Sequence, residues 1–282
     1  MPLKGGLSFL RFQGGDPYSE TVILIHGIGG EAALWPAELR RLPGYNVIAV
    51  DLPGHGRSPG NALQTVRAHA EALLEFMAAL GLYRAVLIGH SLGGAVALHL
   101  ALEFPHHVTG LGLVAAAARF QIPDVPLLSL DNPTLRHEVL KTLESWILPP
   151  WLSLPVRRQV DLAFKQLRPE VRAADWKAIA EFDVRDRLSE LRMPTSVLYG
   201  TRDPLVPLSG VRGFIGTSGV VNAESLEQAG HWLMLEQPGV VAAWLRRFLS
   251  LVNALAHRSS DDFREFKAPL QPKNWEANKP ES

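Results

Sequence analysis

The sequence predicts an α/β fold: a mostly parallel, twisted sheet of about eight strands with helices on both faces and an inserted helical cap. Three observations carry that expectation. Short continuous apolar runs alternate with segments of helical spacing, the pattern of strands covered on both faces by crossover helices. The alternation breaks once, between Ala118 and Met193, where prolines and Trp146, Trp151 and Trp176 accompany short helical patches. A serine flanked by glycines, Gly89-His90-Ser91-Leu92-Gly93, follows one apolar run directly and opens a helical segment.

The expected strands are Leu7–Phe12, Thr21–Ile25, Asn46–Val50, Ala85–Gly89, Gly110–Ala115, Thr195–Tyr199 and Val220–Ser225. The expected helices are Ala32–Arg41, Thr65–Leu80, Leu92–Phe104 and Gly239–Val252, with Gly81 and Pro105 as terminators of the second and third. In the last helix Val240, Val241, Trp244, Leu245, Phe248, Leu249 and Val252 recur at helical spacing, with Arg246 and Arg247 on the other side. Residues 1–117 and 194–256 are read as the core, 118–193 as the cap and 257–282 as a polar, poorly ordered tail. Within the cap, Thr134–Ile147 and Pro155–Leu167 are the clearest helical patches.

Composition removes several classes of function. The chain has 282 residues, of which 47% are hydrophobic, enough for a sizeable core. Lys plus Arg and Asp plus Glu both number 28, so charge favours neither nucleic acid nor an anionic membrane as partner. The chain contains no cysteine, which excludes disulfides, thiolate metal sites and a cysteine nucleophile. Residues 1–10 lack the apolar core of a secretory signal, and no run is read as long enough for a membrane span. A soluble, cytoplasmic protein is the expectation, with no oligomeric state indicated.

In α/β sheets of this kind, function collects at the carboxyl ends of the strands. Gly-x-Ser-x-Gly at a strand-to-helix junction holds its serine on a sharp turn, with the hydroxyl clear of the backbone. A chance match to so short a pattern is common, so the rest of the chain must supply a base, an acid and an oxyanion site. A single histidine is usually a surface or core residue. His231, in Gln228-Ala229-Gly230-His231-Trp232, instead follows an expected strand and precedes the last helix. Asp203, taken alone, could simply form a turn before Pro204, but it lies just past another strand at the same edge. The order Ser91, Asp203, His231 is the order this architecture demands. The oxyanion donors expected are the backbone N–H groups of Leu92 and Ile28, with Gly29 as the alternative to Ile28 in His26-Gly27-Ile28-Gly29-Gly30.

Together, His26-Gly27, Asp51-Leu52-Pro53-Gly54-His55-Gly56-Arg57-Ser58, the Ser91 elbow, Asp203 and Gly230-His231 resemble the α/β-hydrolase superfamily. The resemblance spans residues 21–252 with a gap over the cap. It implies Ser91 as nucleophile, His231 as general base and then acid, and Asp203 as its orienting partner. It gives the Asp51 loop a structural role. The expected activity is hydrolysis of small to medium, largely apolar carboxylic esters through an acyl-enzyme, with water as the second substrate and no cofactor or metal. A neutral His231 is needed, so activity is expected to fall below about pH 6.5. Trp232, Trp146 and Trp151 are candidates for the substrate pocket.

Competing readings carry less. Gly27-Ile28-Gly29-Gly30-Glu31-Ala32 copies a dinucleotide fingerprint, but Pro36 interrupts the helix that would hold the pyrophosphate. Dehalogenases and most epoxide hydrolases of the superfamily use aspartate at the elbow, and the latter add cap tyrosines. Here Tyr18, Tyr45, Tyr83 and Tyr199 all lie outside the cap. A carbon–carbon bond hydrolase shares the triad and a tryptophan after the histidine. It also needs a cap arginine, to be sought among Arg136, Arg157, Arg158, Arg168 and Arg172. Lactonase, thioesterase and perhydrolase activities use the same residues, and a non-catalytic ligand receptor of this fold keeps them too.

Overall fold

The computed structural model of the chain describes residues 2–16, 18–217 and 219–256. The 257–282 segment, expected as a polar tail, lies outside the described residues. The strands are β1 (Leu3–Lys4), β2 (Leu7–Gln13), β3 (Thr21–Ile25), β4 (Asn46–Val50), β5 (Ala85–His90), β6 (Val108–Val114), β7 (Thr195–Gly200) and β8 (Val220–Leu226). They form one eight-stranded sheet in the order β1-β2-β4-β3-β5-β6-β7-β8. Strands β1 and β2 run antiparallel at one edge, and every pair from β4 across to β8 is parallel.

The central strands are rich in Val, Ile and Leu and are buried along their whole length in β4 and β5. Both of their faces are therefore covered, as continuous apolar strands require. Helices α1 (Ala37–Arg40) and α9 (Pro238–Ala256) pack together, as do α2 (Val66–Ala79) and α3 (Leu92–Glu103), while α7 (Leu208–Val211) and α8 (Leu233–Glu236) are single turns. In β6, Gly110 and Gly112 leave room for α9: a Cβ there would come within 2.8 Å of Val252 and 3.2 Å of Trp244 respectively.

Three expectations need correction. The helix expected over Ala32–Arg41 is a 3₁₀ turn at Ala32–Leu34 followed by the single turn α1, because Pro36 between them cannot donate to a continuous ladder. Val240 stands exposed at the start of α9, while the other apolar residues named there are buried. A segment long enough for a membrane span does exist by length and composition: α9 has 19 residues and a mean hydropathy of 1.3. One face of α9 covers β6, and the opposite face carries Arg246 and Arg247 in solvent, which is how a core helix is patterned.

Between β6 and β7 the chain leaves the sheet to form α4 (Pro133–Ile147), α5 (Leu154–Gln166) and α6 (Pro169–Glu181). The two ends of this excursion meet, since Val184 N–H donates to Ala118 O and Arg119 pairs with Asp183 in an antiparallel bridge. Proline occupies the first turn of each of the three helices, where its missing N–H costs nothing. The excursion lies over the carboxyl ends of the strands. Chain direction reverses there: β3 leads outward to β4, whereas β5 leads through α3 the other way to β6. The crevice between β3 and β5 is thus the switch point at which such sheets bind ligands.

Candidate active site

Ser91 occupies the turn between β5 and α3 with φ 52° and ψ −119°, a conformation that non-glycine residues rarely adopt. The turn is tight enough to demand its glycines. A Cβ on Gly93 would sit 2.2 Å from Ile25 O, and one on Gly89 2.2 Å from Gly93 O. The chain after β3 is just as close, since a Cβ on Gly27 would meet the Ser91 Cβ at 2.8 Å. Close packing of these two strand ends is what sets the serine against the Gly27–Gly30 loop.

The structure brings Ser91, Asp203 and His231 together although they arrive from β5, β7 and β8. Ser91 Oγ–H donates to His231 Nε2 at 2.8 Å, and His231 Nδ1–H donates to Asp203 Oδ2 at 2.8 Å. The second carboxylate oxygen of Asp203 accepts the N–H groups of Leu205 at 2.9 Å and Val206 at 3.2 Å, which fixes the plane of the carboxylate. All three side chains are buried. In that setting the relay can draw the hydroxyl proton onto the imidazole and stabilise the resulting charge. Leu92 is the first residue of α3, so its N–H has no acceptor within the helix and lies beside the serine. Ile28 and Gly29 occupy the middle of a turn closed by Gly30 N–H donating to Gly27 O, with Gly29 at φ +65°.

Two residues that support this arrangement, His90 and Glu236, were given no role from sequence. His90 Nε2–H donates to His231 O at 2.8 Å, and its ring lies 5.0 Å from that of His231. Burial, then the neighbouring His231, pushes His90 down to about 3, so it remains a neutral donor. Its position inside the elbow motif was the available signal. Glu236 accepts both Gly230 N–H at 2.9 Å and Trp232 N–H at 3.0 Å, clamping the loop on either side of His231. The Asp51 loop is structural in its contacts: the Asp51 carboxylate accepts Ala32 N–H at 2.7 Å and Arg57 N–H at 3.1 Å. His26 Nε2 accepts Leu52 N–H at 3.0 Å while its Nδ1–H donates to Gly27 O at 2.9 Å, tying that loop to the Gly27 turn.

A second buried cluster lies under the cap. His55 Nε2 is 2.8 Å from Asp175 Oδ2 on α6, and His55 Nδ1 is 3.1 Å from Pro53 O. His69 Nε2 lies 3.6 Å from the other Asp175 oxygen. Burial alone would lower His55, but the Asp175 carboxylate outweighs it and holds the ring above its ordinary value. Two N–H donors facing two oxygens fit a protonated ring. His69 goes the other way, pushed down to about 4 chiefly by burial.

The tryptophan candidates separate. Trp232 is buried, with its ring 6.1 Å from that of His231, and its Nε1–H donates to Ile147 O at 2.9 Å across to the end of α4. Trp146 is half-buried on α4. Trp151 is 52% exposed in the α4–α5 turn and does not enclose the site, a correction to its place among the pocket candidates. Of the five arginines named as candidates for a carbon–carbon bond hydrolase, four are engaged elsewhere. Arg136 pairs with Glu170, Arg172 with Glu144, Arg157 donates to Leu148 O and Pro149 O, and Arg168 donates to Gly60 O. Arg158 is exposed. Among the described residues, no group of three His, Cys, Asp or Glu has the arrangement of a metal site.

Comparison with known proteins agrees with this fold. A family model described as the alpha/beta hydrolase fold matches residues 20–150. The pimeloyl-[acyl-carrier protein] methyl ester esterase of Vibrio vulnificus is 33% identical over 201 residues, 66% of this chain and 77% of that protein. A Variovorax paradoxus protein assigned as a carbamate hydrolase is 32% identical over 254 residues, covering 85% of this chain and 95% of its own. Among solved structures, a thermophilic esterase from Thermogutta terrifontis superposes with a TM-score of 0.71 at 27% identity, over 87% of this chain and 93% of that one. With its eight-stranded sheet, its serine elbow and relatives of this closeness, the chain belongs to the α/β-hydrolase family.

Proposed function

We propose that the protein is a serine hydrolase that cleaves carboxylic esters of small to medium, largely apolar substrates. The observation that carries this reading is the continuous pair of 2.8 Å hydrogen bonds from Ser91 through His231 to Asp203, starting from a strained elbow. Ser91 Oγ attacks the acyl carbon as His231 Nε2 takes its proton. The developing oxyanion rests on the N–H groups of Leu92 and of Ile28 or Gly29. His231 then protonates the leaving alcohol, and water deprotonated by the same ring releases the acid. Asp203 remains ionised throughout and stabilises the imidazolium. Losing one oxyanion donor typically costs about 3 kcal/mol of transition-state stabilisation.

By their names the two relatives above are a methyl ester esterase and a carbamate hydrolase, which supports the reading. The engagement of Arg136, Arg157, Arg168 and Arg172 in other bonds weighs against the carbon–carbon bond hydrolase. The test is a panel of p-nitrophenyl esters of graded acyl length, with a lactone, a carbamate and a ring-cleavage diketone, run on wild type and Ser91→Ala. Fast, Ser91-dependent ester turnover is expected. Turnover of the diketone alone would replace the ester by a carbon–carbon bond, and ligand binding without turnover of any compound would favour a receptor.

A further inference from the structure

Ser91 and Asp203 stand just past the ends of β5 and β7, whereas His231 stands in a loop directly after Gly230. A glycine beside the base gives that loop more backbone freedom than a residue with a Cβ would. The loop is nevertheless held at successive residues. Ala229 O accepts the N–H of Arg202, the residue before Asp203, at 2.9 Å. His231 O accepts the ring N–H of His90, the residue before Ser91, at 2.8 Å. Between these two anchors Gly230 N–H donates to Glu236 Oε2 at 2.9 Å, and just beyond them Trp232 N–H donates to Glu236 Oε1 at 3.0 Å. A Cβ on Gly230 would lie 3.3 Å from the same carboxylate, so the glycine also leaves Glu236 room to approach. Glu236 is the last residue of α8, and its bond to Trp232 alone would cap that single turn. The bond to Gly230 lies outside α8 and does nothing for the turn.

We propose that Glu236 is a positioning residue for His231, holding the main chain on both sides of the base so that the imidazole meets Ser91 and Asp203 at hydrogen-bond distance. The inference rests on Ser91 being the nucleophile and His231 its base. The two N–H groups reach different oxygens of one side chain, and only a carboxylate offers an acceptor at each position. A glutamine of the same shape offers one carbonyl oxygen, and its amide nitrogen sets a donor against the other N–H. The ring has to serve both of its partners at 2.8 Å. Misplacing a reacting group by about 1 Å can cost on the order of 100-fold in rate, so a fixed main chain bears directly on turnover. Both bonds of Glu236 are to the main chain, and it therefore acts through His231 and not on the ester.

The experiment measures kcat and KM on p-nitrophenyl acetate, with the rate of Ser91 labelling by a small fluorophosphonate, in wild type, Glu236→Ala and Glu236→Gln. The same measurements are made on His231→Ala and on His231→Ala combined with Glu236→Gln, and circular dichroism checks folding. Glu236→Gln keeps the size of the side chain should the alanine variant fold poorly. In Glu236→Gln, kcat and the labelling rate are expected to fall together by about 10- to 100-fold, with KM within about twofold of wild type. The double variant is expected to turn over at the rate of His231→Ala alone, since a residue that acts through the base then has nothing left to position. A wild-type kcat in folded Glu236→Gln, a change in KM alone, or a loss of the same size in the His231→Ala background would overturn the positioning role while leaving Ser91 as nucleophile. Failure of the probe to label Ser91 in wild type would overturn both.

Discussion

Two buried Asp–His pairs sit at the same end of the sheet with the same 2.8 Å separation, yet the proposed function assigns chemistry to only one of them. In Asp203–His231 the far ring nitrogen faces a hydroxyl, which can give up a proton. In Asp175–His55 it faces the carbonyl of Pro53, which has none to give. The first pair joins two loops of the core, and the second joins a cap helix to the turn after β4. Geometry alone does not separate a relay from a clamp; the group on the distant nitrogen does.

Four substitutions and the pH dependence of stability probe that contrast, the most damaging substitution first. Ser91→Ala should lower kcat for ester hydrolysis by about 10⁴-fold or more with folding intact, as checked by initial rates and circular dichroism. Asp203→Asn should lower kcat by about 10³- to 10⁴-fold, because the ring is then held in the wrong tautomer. Asp175→Asn should behave differently. It leaves the relay in place, so its main effect should be a loss of about 3 kcal/mol of stability, measured by urea unfolding. A collapse of kcat in this variant with no loss of stability would break the distinction between relay and clamp.

The pH dependence of the third variant sharpens the comparison further. His55 is raised in the folded state, so the stabilisation from its pair is complete below the unfolded histidine value of about 6.5 and is lost as pH rises through the folded value. The stability gap between wild type and Asp175→Asn should therefore be wider at pH 6 than in alkaline solution. His69 and His90 act in the opposite sense. Held down at about 4 and about 3, they remain neutral in the fold while an unfolded chain would take up protons, so stability falls as pH drops from about 6.5 towards those values. The smallest effect expected is for Trp232→Phe, which removes the bond to Ile147 O and should cost about 1 kcal/mol.

The sheet and the residues of the candidate site were legible in the sequence for a local reason. Continuous apolar runs mark β3, β4 and β5, and the motif residues lie just past strand ends. What was not legible depends on tertiary contact. Helix α6 gave no clear signal because Val171, Ala173, Ala174, Trp176, Ala178 and Ile179 are buried around most of its circumference, which erases the helical period. Asp175 sits among them and would be read as an ordinary helix charge; its partner His55 lies 120 residues away. Trp151 was misjudged because an apolar residue near a turn can point either way, and here it points into solvent.

If the pair bearing a hydroxyl on its far nitrogen performs the chemistry, the acyl group must pass through Ser91. The most direct test is to trap the acyl-enzyme during p-nitrophenyl acetate turnover by acid quench and locate the acetyl group by peptide mass spectrometry, in wild type and in Asp175→Asn. An acetyl group on Ser91 in both proteins is the predicted result. Acetylation elsewhere, or turnover that persists in Ser91→Ala at a rate near wild type, would show that Ser91 is not the nucleophile.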